Sequence, residues 1–506
     1  MSQKQAQSLP ASRRKDVKYI FDHYASGADS LHAGGLLRFL QMEQAEPGAD
    51  DAMAENLIDK YEIDETERKS RMMTFPGFLR YMESRDCSVL NQEHTRVYQD
   101  MGRPLCHYFI SSSHNTYLTA DQLVGKSHLF AYESALRKGC RCLEIDCWDG
   151  PDLEPIVYHG YTLTSKILFR DVISTIAEHA FQVSPYPVIL SLENHCHLPQ
   201  QQVMAQYITT ILGDRLLDAG LDLSSSAELP SPQQKGKVKV AVELSNLVIY
   251  TKSVKFVSFS HSRESQRFYE NTSLGEKKAH KLALKSGPEF VLHNARFISR
   301  IYPAGSRTLS SNYNPQEFWN MGSQLVALNF QSLGLPMDLN NARFRDNGGC
   351  GYVLKPHFLR SHEATFDPSA LPPDLKPVQV LMKVISGSNL PISKAGKPID
   401  PYVRVEITGV PSDCRRIQSE PVKHNSLSPK WDASMNFTVG VPELALIRFT
   451  VRDHGLRPAN DFMGQYTLPF TSMKKGHVEL DLRASVCVTQ HKEQNSQGMK
   501  AHGKVS

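Results

Sequence analysis

Nine cysteines are spread through 506 residues without a CxxC pair or a framework spacing. That excludes a disulfide-stapled fold and points to free thiols in a reducing compartment. No run of roughly 18 apolar residues occurs, so no helical membrane span is expected, and any membrane contact is peripheral. The polar N-terminus lacks the apolar stretch of a secretion signal. Charge of neither sign dominates. Lys and Arg exceed Asp and Glu by only four, which gives no argument for a nucleic-acid partner. What is present is ordinary globular composition, 40% apolar and 22% charged. The length exceeds the roughly 250–300 residues that one core holds, so several domains are expected.

Four patterns follow one another along the chain. Apolar residues at helical spacing (Val17, Ile20, Phe21, Tyr24), then helix candidates at Leu36–Met42, Ala52–Tyr61 and Phe75–Met82, suggest paired helix–loop–helix units. Their loops lack the alternating carboxylates and central glycine of a calcium loop, so this lobe reads as structural. From about Val97, short strands alternate with helical stretches. The strands are Tyr108–Ile110, Cys142–Asp146, Ile156–Tyr158 and Val188–Leu192, and a second block adds Leu244–Tyr250, Leu325–Phe330 and Gly351–Leu354. That alternation predicts a parallel sheet with covering helices, as in a TIM-like barrel. Between the blocks, Leu223–Lys239 is rich in Ser, Pro, Gln and Lys and reads as a loop. Beyond a proline-rich hinge near Pro372, period-two strands predict a β-sandwich of roughly 110 residues. The polar residues after about Gln490 read as a disordered tail.

The chemistry concentrates at strand ends in the third pattern. In Cys142-Leu-Glu144-Ile-Asp146, period two puts both carboxylates on one face. Two carboxylates on one face repel unless a cation lies between them, and oxygen ligands suit Ca²⁺ or Mg²⁺ rather than Zn²⁺. Asn115, Glu144, Asp146 and Glu193 form the candidate ligand set. Such an ion would polarise a phosphoryl oxygen and acidify a nearby hydroxyl, whose proton Glu144 or another coordinating carboxylate can accept. His114 is then a donor to charge developing on phosphorus, and His159 an acid for the leaving oxygen. In the sandwich, Asp400, Asp453 and Asp461 lie in turns at one end. They are a thinner calcium or lipid candidate, for which ordinary surface acids are the stronger reading.

These residues are familiar as motifs. Ile110-Ser-Ser-Ser-His-Asn-Thr-Tyr-Leu118, Cys142-Leu-Glu-Ile-Asp-Cys-Trp-Asp-Gly150, Val157-Tyr-His-Gly160 and Leu190-Ser-Leu-Glu-Asn-His195 resemble the X region of phosphoinositide-specific phospholipase C. Ser299-Arg-Ile-Tyr-Pro303, Ala327-Leu-Asn-Phe330 and Asn347–Pro356 resemble its Y region. Within that family, the absence of a pleckstrin-homology domain ahead of the helical lobe resembles the zeta isozymes, with the delta isozymes next. The resemblance implies an EF-hand-like lobe (13–96), an X half (97–222), a short linker (223–242), a Y half (243–361), a hinge (362–376) and a C2 domain (377–489). Residues 1–12 and 490–506 are expected to be disordered.

The resemblance also implies Ca²⁺-dependent hydrolysis of phosphatidylinositol 4,5-bisphosphate to diacylglycerol and inositol trisphosphate through a cyclic phosphate, by a monomer acting peripherally at membranes from the cytoplasm or perinuclear region. For the zeta isozymes this is the egg-activating calcium signal. His114 and His159 are its catalytic pair, and Ser273, Arg300 and Tyr302 its head-group contacts. The family's Lys-x-Lys strand and long linker have no counterpart after Leu229-Pro-Ser-Pro232. Lys235 and Lys237, on one face at period-two spacing, are the substitutes for phosphate contact. Leu123, Tyr161 and Leu163 are left as a reduced apolar ridge. A catalytically weak lipid- or protein-binding scaffold is the alternative from another class, and a glycerophosphodiester phosphodiesterase the rival enzyme.

Overall fold

The computed structural model describes residues 11–217, 244–247, 251–363, 366–371, 376–390, 398–455, 462–482 and 499–505. Its N-terminal lobe holds helices Ala11–Ala25, Ala33–Met42, Asp51–Tyr61 and Phe75–Met82, with the short helix Glu65–Lys69. Strands Ser30–His32 and Met72–Thr74 pair antiparallel between them, joining the two loops. Caps match the sequence: Asp50 accepts from Met53 N–H and Thr74 from Gly77 N–H. Phe21, Phe39, Phe78 and Tyr81 form the buried core. The buried Glu62 carboxylate accepts from the backbone N–H groups of Ile63, Asp64 and Thr74 and from the Thr74 hydroxyl. Its oxygens are satisfied by the loop itself.

Among the described residues, seven parallel strands make the central sheet. In spatial order they are Lys252–Val254, Glu270–Gly275, Ile298–Tyr302, Leu325–Leu328, Ser112–Ser113, Cys142–Trp148 and Ile189–Asn194. The sheet curls as a barrel does. Among the described residues its two end strands, Lys252–Val254 and Ile189–Asn194, do not pair with each other.

Several expected strands lie elsewhere. Leu244–Leu247, expected to open a strand, is a short 3₁₀ turn. Leu244 and Leu247 lie three residues apart, and both pack against the same cluster under helix Leu198–Leu212, a spacing that suits a turn and not a strand. Residues 248–250 lie outside the described residues. Tyr108–Ile110 and Tyr352–Leu354 leave the parallel sheet and pair antiparallel with each other. Tyr108, Ile110 and Tyr352 bury against Cys142, Ile298 and Leu325, the first residues of three barrel strands. This ribbon therefore plugs the N-terminal end of the barrel and leaves the C-terminal end open. Ile156–Val157 is antiparallel too. It folds back on Cys147–Trp148 and continues into Ile167–Leu168.

Among the described residues, the C-terminal domain is a sandwich of two four-stranded sheets. One is ordered Lys430–Val439, Val378–Ser388, Met499–Val505, Gly476–Leu482. The other is ordered Arg415–Gln418, Pro401–Thr408, Leu446–Asp453, Phe462–Pro469. The expected disordered tail is thus corrected over Met499–Val505, which pairs on both sides with Val378–Ser388 and Gly476–Leu482. The segment is polar overall, but Met499, Ala501, Gly503 and Val505 alternate with Lys500, His502 and Lys504, a period-two pattern that composition conceals.

Buried contacts lock the sandwich to the barrel. Arg448 pairs with Asp338 at 2.8 Å, and Arg343 donates to the Leu444 carbonyl at 2.7 Å. The helical lobe braces the other side, where Lys474 meets Glu46 at 2.6 Å and His477 N–H donates to Gln44. All eight described cysteines are unpaired. No helix among the described residues is long and apolar enough to cross a membrane.

Candidate active site

Strand Cys142–Trp148 carries the site because of its alternation. Leu143, Ile145 and Cys147 bury in the outer core against helices Leu129–Arg137 and Phe169–His179, which turns Glu144 and Asp146 inward. The register with the next strand sets Asp146 beside Glu193. Ligand atoms of Glu144, Asp146 and Glu193 lie within 4.8 Å of one another.

The two buried carboxylates divide electrostatically. Burial works against charge on Glu144, but Arg300 Nη2, 2.7 Å from its Oε1, with His114 and the Asn115 N–H at 2.8 Å, holds its pKa below the usual range. Asp146 goes the other way. Burial, then repulsion from Glu144 and Glu193, pushes it well above the carboxylate range. Its Oδ2 accepts from the Tyr117 hydroxyl at 2.6 Å, while its buried Oδ1 has no partner among the described residues. An orphaned buried oxygen facing two further carboxylates is the environment of a hard cation site. Asn115 fits the set. Its backbone is left-handed, φ 40°, and its Nδ2 donates to Gln122 Oε1 at 2.8 Å, so Oδ1 is the atom left for a ligand.

The histidines line the same cavity as this group. His114 follows strand Ser112–Ser113; its N–H donates to the Leu328 carbonyl and its Nδ1 lies 2.9 Å from Asn329 Oδ1. Burial depresses its pKa; Glu144 works against that and Arg300 with it. His159 follows the antiparallel ribbon, so no parallel barrel strand carries it. Its Nδ1 is 2.6 Å from the Gln122 carbonyl, and its N–H donates to Thr164. Any side chain on Gly160 would run into the Trp148 indole, which explains the glycine after this histidine.

Ser273 and Arg300 are register partners on adjacent strands, and Tyr302 lies two residues further along, with the Arg300 guanidinium 5.5 Å from its ring centre. All three line one cavity of about 1450 Å³ together with His114, Asn115, Glu144, Asp146, His159 and Glu193. Lys235, Lys237 and Asp461 lie outside the described residues. In the sandwich, Asp400 Oδ1 accepts from the His424 N–H and faces its Nδ1. Asp453 Oδ1 accepts from the N–H groups of Asp400 and Gly455. Asp400 and Asp453 thus tie together the loops at this end of the sandwich. Leu123, Tyr161 and Leu163 are 49, 95 and 83% exposed. Leu163 N–H donates to the Leu123 carbonyl, next to Gln122 at the cavity rim.

Motif reading missed Gln122, Asn329, Ser310 and the part played by Tyr117. Gln122, Asn329 and Ser310 are buried polar residues. Asn329 lies inside the Ala327–Phe330 motif without a role assigned there, whereas Gln122 and Ser310 stand beside other polar residues, Asp121 and Ser311, and carry no sequence signal that selects them.

Four family descriptions match in chain order. They are the EF-hand-like region of phosphoinositide-specific phospholipase C at residues 10–92, the X domain of phosphatidylinositol-specific phospholipase C at 101–243, its Y domain at 244–358 and the C2 domain at 378–483. The human "1-phosphatidylinositol 4,5-bisphosphate phosphodiesterase zeta-1" is 46% identical over 522 residues, covering 93% of this chain and 86% of that protein. The delta-1 protein of the same designation from Rattus norvegicus is 46% identical over 93% of this chain and 70% of its own length. The crystal structure of L. pealei PLC21 superposes with a TM-score of 0.84 at 32% identity, covering 97% of this chain and 68% of that one.

Proposed function

Since the chain belongs to the phosphoinositide-specific phospholipase C family and is a phosphoric diester hydrolase, we propose that it cleaves phosphatidylinositol 4,5-bisphosphate into diacylglycerol and inositol 1,4,5-trisphosphate through a cyclic phosphate. One observation carries the reading. An acidic group with an orphaned oxygen shares one cavity with Arg300 and with two histidines whose Nδ1 atoms are already engaged.

Asn115, Glu144, Asp146 and Glu193 are the residues that would hold Ca²⁺. When bound, the ion compensates charge on the phosphoryl oxygen and lowers the pKa of the inositol 2-hydroxyl. Glu144, kept ionised by Arg300, takes the proton of that hydroxyl as its oxygen bonds to phosphorus. The bond from phosphorus to the glycerol oxygen breaks, and His159 gives that oxygen a proton. His114, once it carries a proton on Nε2 as well as on Nδ1, donates a hydrogen bond from Nε2 to the phosphoryl oxygen. Water then opens the cyclic ester with these roles reversed. Ser273, Arg300 and Tyr302 hold the head group, as donors suited to phosphate. The exposed Leu123, Tyr161 and Leu163 rest on the lipid surface, so the enzyme works peripherally at a membrane from the cytoplasm or perinuclear region, as a monomer. By its likeness to zeta-1, the released trisphosphate triggers the calcium signal of egg activation.

Release of inositol trisphosphate from labelled vesicles, measured across free Ca²⁺ concentrations, tests this. Saturable, Ca²⁺-dependent release that His159→Ala abolishes is expected. Vesicle binding without release at any Ca²⁺ concentration would establish a scaffold instead.

A further inference from the structure

Gln122 has no place in the chemistry above, yet it is hydrogen-bonded to two residues that do, Asn115 and His159. It is buried, with 6% of its surface exposed. Its side-chain Oε1 accepts from Asn115 Nδ2 at 2.8 Å. Its Nε2 donates to Ser310 Oγ at 2.8 Å and to Asn329 Oδ1 at 3.2 Å. Its carbonyl lies 2.6 Å from His159 Nδ1, and its own N–H is held by the Thr308 carbonyl.

The direction of these bonds follows from one fixed acceptor. Asn329 Nδ2 donates to the Ser311 carbonyl at 3.2 Å, and a carbonyl can only accept. Asn329 therefore turns Oδ1 toward Gln122 and His114. Gln122 must meet that oxygen with Nε2, which leaves Oε1 for Asn115. Asn115 must meet Oε1 with Nδ2, which leaves its own Oδ1 for the metal. His114, also facing Asn329 Oδ1, must carry its proton on Nδ1, so its Nε2 is the free nitrogen. His159 faces the Gln122 carbonyl, so it too carries its proton on Nδ1. Two residues of this circuit, Asn115 and Ser310, hold left-handed backbones at φ 40° and 57°, as strained positions at working sites do.

We propose that Gln122 is the shared positioning residue of the site: it fixes the tautomer of both histidines and turns the Asn115 oxygen toward the metal. The proposal rests on the roles given above to His114, His159 and Asn115.

Gln122→Glu is the sharp test. A carboxylate still accepts from Asn115 but opposes Asn329 Oδ1 with a second acceptor. A charged acceptor outweighs the 3.2 Å bond to the Ser311 carbonyl, so the Asn329 amide gives up that bond and turns over, presents Nδ2 to the new carboxylate and to His114, and forces the His114 proton onto Nε2. His159, held by the backbone, keeps its tautomer. At pH 8.5, imidazole ¹⁵N spectra, assigned by difference from His114→Ala and His159→Ala, should show inversion at His114 alone. The kcat should fall about 100-fold, with KM and Ca²⁺ half-saturation within about twofold of the native values. Gln122→Met frees Asn115 as well, so here both a loss of kcat and a rise in Ca²⁺ half-saturation of at least about fivefold are expected.

Unchanged ring signals and kcat within about twofold in both variants would overturn the proposal. So would a loss of activity that only follows the folded fraction measured by calorimetry, with ring signals unmoved. The spectra do not depend on turnover. An inactive native protein would therefore defeat the functional reading while the tautomer test still stood.

Discussion

Carboxylates gather at the end of two β domains in this protein, and the two groups differ in what their oxygens touch. At the barrel mouth, Glu144, Asp146 and Glu193 converge with ligand atoms within 4.8 Å, and one buried Asp146 oxygen has no partner among the described residues. At the loop end of the sandwich, Asp400 accepts from the His424 N–H, and Asp453 from the N–H groups of Asp400 and Gly455. The barrel group is held together against repulsion, which is why Asp146 is pushed well above its usual pKa. The sandwich pair is held by its own turns. A count of acids does not separate the two cases; unsatisfied oxygens do.

The largest test of that contrast is Asp146→Asn. The amide still accepts from Tyr117, so the fold persists while an anionic ligand is lost. Turnover should fall by about 10³-fold, equivalent to roughly 4 kcal/mol of transition-state stabilisation, and calorimetry should show Ca²⁺ binding lost. Full turnover in this variant would break the comparison. Glu193→Gln, at the exposed edge of the same group, should raise the Ca²⁺ half-saturation by about 10-fold or more while saturating Ca²⁺ restores most of the rate. An unmoved Ca²⁺ dependence removes Glu193 from the ligand set.

The next two tests address the satisfied carboxylates. Glu62→Ala leaves several loop donors of the helical lobe without their acceptor and should lower its stability by about 2–3 kcal/mol in denaturant unfolding. The number of Ca²⁺ ions bound should not change. Asp453→Ala should cost about 1 kcal/mol of sandwich stability through two lost N–H acceptances. The Ca²⁺ half-saturation of turnover should stay within about twofold of the native value. A Ca²⁺ site lost with either Glu62 or Asp453 would erase the distinction drawn here.

Much of the frame was legible beforehand because local pattern and tertiary demand agreed. Period two in Cys142–Asp146 already assigned Leu143 and Ile145 to the core and the two acids to the other face. Helical spacing found the lobe, where Phe21, Phe39 and Phe78 meet. Errors arose where short apolar runs could serve more than one partner. Tyr108–Ile110 and Tyr352–Leu354 have strand patterns, but nothing in either run says that they pair with each other and plug the barrel. Met499–Val505 was hidden because a strand paired on both sides draws on backbone groups that every sequence has.

By itself, then, the sequence determined the strand faces, the domain order and the donor types at the site, because these follow from side-chain period and residue chemistry. Only the tertiary structure decided which oxygens go unsatisfied and which nitrogen of each histidine carries its proton. The partners of Gln122 lie 7, 37, 188 and 207 residues away along the chain. Hydrogen-bond satisfaction is settled between groups that folding alone brings within 3 Å or so of one another, and no local window of sequence contains it.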